Sequence, residues 1–538
     1  MVFGIFAPGL RHGSRLFAML VIASLFVLSA PKAEAQVTAF RQAVAEAASR
    51  NDDLAGFYRA RDFEGLWTGN SAQRRRNALL AAFAGASNHG LPAGRYNVDA
   101  LVAELTAADT PAKQGEMEVK LSRLFMQYAR DVQTGVLIPS RVDELIKRQV
   151  PYRSRLGTLQ AFAQSNPTAF LRSLPPSSPE YTRLMREKLR LEELLGRGGF
   201  GPVVSARKLE AGSSGQAVVD LRNRLIAMGF LQRSATQTYD ESIVAAVQRF
   251  QQAHGLAIDG TAGEGTLREV NISADRRLQS VIVAMERERW INRPRGERHV
   301  WVNLTDFTAA IVDNDVVTFS TRSVIGALDE DRQSPEFSDV MEFMVINPSW
   351  YVPRSIITKE YLPQLQRNSN SVRHLEITDS RGRVVNRNNV DFNQFDERTF
   401  PYSMRQPPSR GNALGLVKFM FPNRYNIYLH DTPAKNLFGR EVRAYSHGCI
   451  RLNDPFDFAY ALLAKQEADP VGFFQARLNS GNESRVNLDA AVPVHIVYRT
   501  AFTNVTGSLQ FRRDIYGRDG RIWNALANAG VTLRAIAG

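Results

Sequence analysis

From Val37 to about Arg197, apolar residues recur at three- and four-residue spacing, a period that predicts helices. The clearest stretches are Ala39 to Arg50, Ser71 to Ala86, Asn97 to Ala107 and Gln114 to Gly135. Within the last, Leu121, Leu124, Phe125 and Tyr128 share a face, as core side chains of a bundle do. Pro175, Pro176 and Pro179 interrupt the pattern, and Gly196-Arg197-Gly198-Gly199-Phe200-Gly201-Pro202 reads as a linker. A phosphate-cradling loop is the rival reading of these glycines, but no Gly-Lys-Ser/Thr follows.

A second helical set spans Leu209 to Val270. Gln216 to Met228 carries a stripe through Val218, Leu221, Leu225 and Met228 and stops at Gly229. Asp240 to Gly255 repeats it through Val244, Val247, Phe250 and His254, then runs to Asp259-Gly260. Glycines 229 and 260 suit helix ends. After a helical connector, Asp275 to Trp290, the period falls to two. His299 to Leu304 alternates, and Ala309 to Ser320 reads as two strands about an Asp-Asn turn. Met344 to Ile346, Asn426 to His430 and Val492 to Tyr498 add strands, whereas Glu360 to Pro401 is polar and irregular, a long mobile loop of the kind that covers active sites.

The fold class is therefore multidomain α+β. A helical scaffold domain covers 36–205 and a small three-helix module 206–272. A connector follows over 273–297, then a β-rich domain over 298–505 and a C-terminal helical extension over 506–538. With 44% hydrophobic residues the chain can fill several cores.

Ahead of this, Arg11 and Arg15 precede a fourteen-residue apolar run, Leu16 to Ser29, followed by Ala33-Glu34-Ala35. That is the pattern of a secretory signal peptide over 1–35. The run is short of the ~20 residues that span a bilayer, so no membrane helix is expected in the mature chain. The formal charge is +13, of which the leader supplies +2. A basic exported chain meets acidic envelope components, and export without a recognition motif argues against nucleic acid.

Export makes the cysteine count informative. Cys449 is the sole cysteine, so an internal disulfide is excluded, and keeping one reduced thiol in an oxidising space suggests chemistry. It lies in Ser446-His447-Gly448-Cys449-Ile450-Arg451, nineteen positions after His430, which ends a predicted strand. A thiol nucleophile needs a base within hydrogen-bond reach, and His430 can supply it. Gly448 lets the backbone turn beside a reacting carbonyl, and the amides around His447, Gly448 and Cys449 are candidates for an oxyanion hole. Arg451 can hold the thiolate or a substrate carboxylate, or pair with Asp454. Asn453 or Asp454 can cap a helix entered at Pro455, so the thiol is expected shortly before a helix N-terminus that favours thiolate. His447 is a second candidate base or a loop brace. His430, His447 and Cys449 also offer three zinc-ligand types, but their spacing is not that of paired metal ligands, so no metal or other cofactor is expected.

Two resemblances follow. Gly215-x-x-Val218-x-x-Leu221-x-x-x-Leu225, Ala246-Val247-x-x-Phe250-Gln251-x-x-x-Gly255-Leu256 and Asp259-Gly260-x-x-Gly263-x-x-Thr266-Leu267 resemble the peptidoglycan-binding type 1 module. His430 and the Ser446 to Arg451 block resemble the signature of YkuD-type L,D-transpeptidases. Asn347 to Ile356, Gln406-Pro407-Pro408, Asn412 to Asn423 and Ile427 to Pro433 look like the YcbB-type branch, although Pro408-Ser409 stands where that branch has Pro-Gly. The resemblance implies a capping insertion near 360–401, Cys449, His430, His447 and Gly448 as catalytic residues, and Arg451, Ser446, Tyr428, Trp350 and Asn412 as substrate contacts. It implies a reaction too: Cys449 attacks the meso-diaminopimelate carbonyl of a tetrapeptide stem, releases D-alanine, and the thioester is resolved by a neighbouring stem amine into a 3→3 cross-link. Hydrolysis of that thioester, transfer to a protein lysine, and a non-catalytic wall-binding scaffold are the alternatives. The implied partners are stem peptides and glycan of peptidoglycan; the sequence leaves the oligomeric state open.

Overall fold

The computed structural model describes residues 31–535, and side chains from Val37 onward. All but the last five residues of the expected leader lie outside them. Among the described residues no helix is long and apolar enough to cross a membrane. These residues form two compact units, one of 31–87, 93–131 and 152–174, the other of 88–92, 132–151 and 175–535.

The first unit is helical, as the three-four spacing predicts. Asp52–Arg59, Gln73–Ala84, Val98–Ala107 and Arg155–Gln164 pack with most of the long helix Pro111–Thr134. Asn51 and Asn97 cap two of them by accepting the amides of Leu54 and Ala100. Trp67 stacks on Phe162 at 5.0 Å in the core. Beside it the buried Glu118 carboxylate accepts amide hydrogens from Leu66, Trp67 and Thr68, which compensates its desolvation.

In the second unit, helices Gln216–Met228, Glu241–Ala253 and Glu264–Val270 close over Val218, Leu221, Leu225, Val247, Phe250 and Leu267. Gly229 ends the first in the left-handed conformation its lack of Cβ permits. The connector helix Ala274–Trp290 is buried along almost its whole length. Its Arg287 bridges Glu336 and Asp519, each at 2.6 Å, so two desolvated carboxylates are paired rather than left isolated.

The β domain is one nine-stranded sheet. Its order is Ala444–Ser446, Val316–Gly326, Ile450–Leu452, Leu429–His430, Val417–Met420, Phe337–Ile346, Ser484–Val497, Arg298–Asn303 and Thr308–Asp313. Thr308–Asp313 pairs in addition with Val316–Gly326, so the sheet closes on itself around an apolar core that includes Val302, Phe419, Leu429 and Ile450. The hairpin between these two strands turns at Asn314 and Asp315, both at positive φ (50° and 64°), as a two-residue turn matched to strand twist requires.

Three expectations change. The strand expected over Asn426 to His430 is paired only at Leu429–His430, because the Asn423 side chain accepts the amides of Tyr425 and Ile427 and holds that stretch in a turn. The expected C-terminal helical extension opens with strand Leu509–Phe511, paired with Ala501–Thr503, before helix Arg518–Asn528. The polar stretch 360–401 is not an irregular loop. With its flanks it forms the three-stranded sheet Trp350–Tyr351, Ser403–Gln406 and Glu376–Thr378 and buries Leu362, Leu365, Leu375, Ile377, Phe392 and Phe400 in a core of its own. Its apolar residues are sparse, yet most of them converge.

Candidate active site

Leu429–His430 and Ile450–Leu452 run parallel, with Leu429 opposite Ile450 and His430 opposite Arg451. Leu429 and Ile450 are fully buried in the barrel core. Side chains alternate along a strand and match across a pair, so Tyr428, His430, Cys449 and Arg451 share the other face. That face looks toward the insertion, whose core Tyr428 also contacts.

The turn before Cys449 is tied down from several sides. Gly448 sits at φ +108°, and a Cβ there would meet Ile427 at 3.2 Å. The buried Ser446 hydroxyl accepts the Gly448 amide (3.1 Å) and donates to the Cys449 carbonyl (2.5 Å). Ser334 donates to the Gly448 carbonyl at 2.6 Å. Two expectations are revised here. Ser446 spends its hydroxyl on the turn rather than on a ligand, and the Gly448 amide is already engaged. The amides of His447 and Cys449 donate to no acceptor among the described residues and remain the candidate oxyanion donors.

Cys449 is half-buried, and its thiol donates to the Asn426 carbonyl at 3.5 Å. Burial pushes it up to about 11, while the amide and hydroxyl of Tyr428 and the Arg451 cation pull the other way. The expectation of a thiolate favoured by a helix N-terminus fails. Strand Ile450–Leu452 intervenes, spanning ~10 Å at ~3.3 Å per residue, whereas the helix field fades within a turn. Helix Pro455–Leu463 begins beyond it, and the carboxylate of its cap residue Asp454 accepts the Thr321 hydroxyl and makes no capping bond.

His430 is buried, and its Nδ1 lies 2.5 Å from the Asp431 carbonyl. A carbonyl only accepts, so Nδ1 carries the proton and Nε2 keeps the lone pair. Burial pushes the imidazole down to about 3; Arg451 adds to this, and the carbonyls of Asp431 and Leu414 oppose it. Among the described residues no hydrogen bond joins imidazole and thiol. Burial thus favours the uncharged form of each partner of the resting pair.

Arg451 is half-buried, with its Nε fully enclosed and without a hydrogen-bond partner. The alternative partner Asp454 is taken by Thr321 and Asn453. Burial lowers the guanidinium's pKa, and the anion that raises it is Cys449.

His447 points elsewhere: its Nε2 lies 2.5 Å from Glu360, in a π-helical turn of the insertion at Ile357–Tyr361. Tyr428 meets the thiol itself, and its hydroxyl also bonds Trp350; burial raises that hydroxyl well above its ordinary value. Trp350 packs edge-on against Tyr361 at 6.4 Å. Asn412, expected at the substrate, is fully buried: its amide donates to the carbonyls of Pro348, Gln406 and Pro407 and its oxygen accepts Leu414, so it holds a loop. Among the described residues no three His, Cys, Asp or Glu side chains are grouped to hold a metal. Glu360, Ser334 and Asn426 were not legible from sequence, since each acts through a partner distant along the chain and none sits in a recurring motif.

Comparison with known proteins places three stretches in families. Residues 52–187 match a "Scaffold domain", 214–269 a "Putative peptidoglycan binding domain" and 297–471 an "L,D-transpeptidase catalytic domain" of the YkuD type. A "Putative L,D-transpeptidase" of Haemophilus influenzae is 30% identical over 246 residues, 45% of this chain and 48% of that protein, so the chain spans about half the length of that relative. Crystal structures of L,D-transpeptidases from Xylanimonas cellulosilytica and Stackebrandtia nassauensis align at 16% and 14% identity. They cover 55% of this chain and 100% and 97% of theirs, with TM-scores of 0.17 and 0.22, too low to bear on the fold. The chain thus carries a YkuD L,D-transpeptidase catalytic domain and a peptidoglycan-binding type 1 domain.

Proposed function

We propose that this chain is an exported, periplasmic, YcbB-type L,D-transpeptidase that forms 3→3 cross-links in peptidoglycan through a thioester on Cys449. The observation that carries this reading is the strand pair that sets His430 and Arg451 beside Cys449 while leaving the Arg451 cation, among the described residues, without an ion-pair partner.

The electrostatics support one order of events. Burial holds the thiol's proton on and keeps the imidazole from taking it, so moving the proton between them in the free enzyme is uphill. A substrate carboxylate on Arg451 offsets the cation's share of the push on His430, which is second to burial, so the imidazole becomes a better base once substrate is seated. The thiol then exchanges its bond to Asn426 for one to His430 Nε2. Sulfur bonds to the diaminopimelate carbonyl carbon as the proton passes to Nε2, and the amides of His447 and Cys449 receive the developing oxyanion. The C–N bond to D-alanine breaks, its nitrogen taking the proton from His430. An acceptor stem amine attacks the thioester carbonyl and gives its proton to His430, the C–S bond breaks, and the leaving Cys449 sulfur takes that proton back as the free thiol. His447 with Glu360 anchors the insertion over this face, and the N-terminal leader directs export.

Incubation of the purified protein with disaccharide-tetrapeptide, followed by mass analysis of products, tests the reading. Dimers joined 3→3 support it. Tripeptide without dimers would assign hydrolysis in place of transfer.

A further inference from the structure

Outside the active site, a cleft of about 400 Å³ opens between the peptidoglycan-binding module and the barrel. Its module wall is Gln252 and the run from His254 to Ile258. The junction is a close-packed one. Gly255 stands at φ +63°, and a Cβ there would lie 2.8 Å from Arg512, whose guanidinium donates to the Ala253 carbonyl at 2.9 Å.

The lining holds five arginines against two carboxylates. Both carboxylates are already taken: Asp306 pairs with Arg512, and Glu441 pairs with Arg513 at 2.7 Å. Arg322, Arg440 and Arg443 are left, and among the described residues none of them is in an ion pair. Arg443 is half-buried and donates only to backbone carbonyls, Ser323 at 3.2 Å, Arg440 at 3.0 Å and Phe307 at 3.1 Å among them. Burial lowers its pKa and the Arg322 cation lowers it further, while Asp306 opposes both. Arg322 touches the Phe438 carbonyl at 3.5 Å, and Arg440 lies over the Tyr445 ring at 5.9 Å. Three cations in excess of the cleft's carboxylates repel one another, and an anion placed among them relieves that repulsion.

The cleft connects to the catalytic turn. Arg443 is six residues before Cys449, and Arg322 is four residues before Gly326, which pairs with Ser446. That is ~13 Å along an extended strand, and a tetrapeptide extends about as far.

We propose that this cleft is a second peptidoglycan site, in which Arg322, Arg440 and Arg443 bind the carboxylates of a stem peptide other than the one that acylates Cys449. It holds a neighbouring stem beside the module, within a peptide's length of the thioester. The proposal rests on the transpeptidase reading for its ligand class.

The test is a calorimetric titration of the full Cys449→Ala chain with disaccharide-tetrapeptide, which the alanine variant binds without turnover. Two muropeptides should bind per chain. The Arg322→Glu/Arg440→Glu pair, made in the same background, should bind one, with the second site weakened at least tenfold; both side chains are exposed, so the fold tolerates the change. Arg322→Gln/Arg440→Gln should lose the same site. With Cys449 restored, iodoacetamide should alkylate the double variant at the parent rate, which reports an intact catalytic turn. Equal stoichiometry in parent and double variants overturns the proposal, as does unchanged binding of a muropeptide whose carboxylates are amidated. Loss of product formation by the unaltered protein, with this stoichiometry intact, would strike the Cys449 reading and leave the cleft standing.

Discussion

His430 stands directly opposite Arg451 in a parallel strand pair, so a fixed cation faces the imidazole that must accept a proton. The cation is the second-largest influence lowering His430, after burial, and it also draws down the thiol. Replacing it uncouples the two effects. Arg451→Gln should raise both His430 and Cys449, slow acylation by tetrapeptide about 10- to 100-fold through the lost charged contact, and change alkylation by neutral iodoacetamide less than tenfold. Equal losses with both reagents would show that Arg451 acts on the thiol rather than on substrate.

The raised thiol sets a pH profile. Only the thiolate alkylates, and with the thiol near 11 its fraction grows about tenfold per pH unit through neutral and mildly alkaline pH. Iodoacetamide alkylation should climb from pH 7 to 10 without levelling. A plateau at or below pH 8 would mean that thiolate and imidazolium already form in the free enzyme.

Tyr428 offers its amide and hydroxyl to the sulfur. Tyr428→Phe removes the hydroxyl, raising the thiol further and slowing alkylation at pH 8 by roughly 5- to 10-fold, the worth of about one hydrogen bond. An unchanged rate would confine the hydroxyl to its contact with Trp350.

Because His447 is bound to Glu360, His447→Ala should leave alkylation within about threefold while amide exchange over residues 357–367 accelerates as the insertion loses its anchor. A loss near 10²-fold, typical of removing a general base, would move that role from His430 to His447.

Stability should fall with acid. Burial holds His430 and His495 down to about 3 and His89 to about 4, so the unfolded chain binds more protons as pH drops below about 6.5. Melting temperature should therefore decline from pH 7 to 4.5, and His495→Gln should flatten that decline. A level profile would mean that these histidines protonate in the folded chain.

What the sequence conveyed was periodic or local. Leu121, Phe125 and Val218 declared their helices because one face repeats, and His430 with Ser446 to Arg451 stood out because those residue types belong together chemically. The thiol's environment was not legible. The short run Ile450–Leu452 was read as an approach to a helix, whereas pairing with Leu429 and Val324 makes it a strand and carries Cys449 away from the helix field. Asn412 looked like a polar contact, yet three carbonyls bury it. The insertion looked irregular because Leu362, Leu375, Phe392 and Phe400 are widely spaced in sequence and meet only when folded.

The central claim is a covalent acyl group on Cys449, and intact-protein mass after brief exposure to disaccharide-tetrapeptide tests it most directly. The unaltered chain should gain the mass of the disaccharide-tetrapeptide less D-alanine, and Cys449→Ala should gain nothing. The same adduct on the alanine variant would contradict the account, because the acyl group would then sit on another residue.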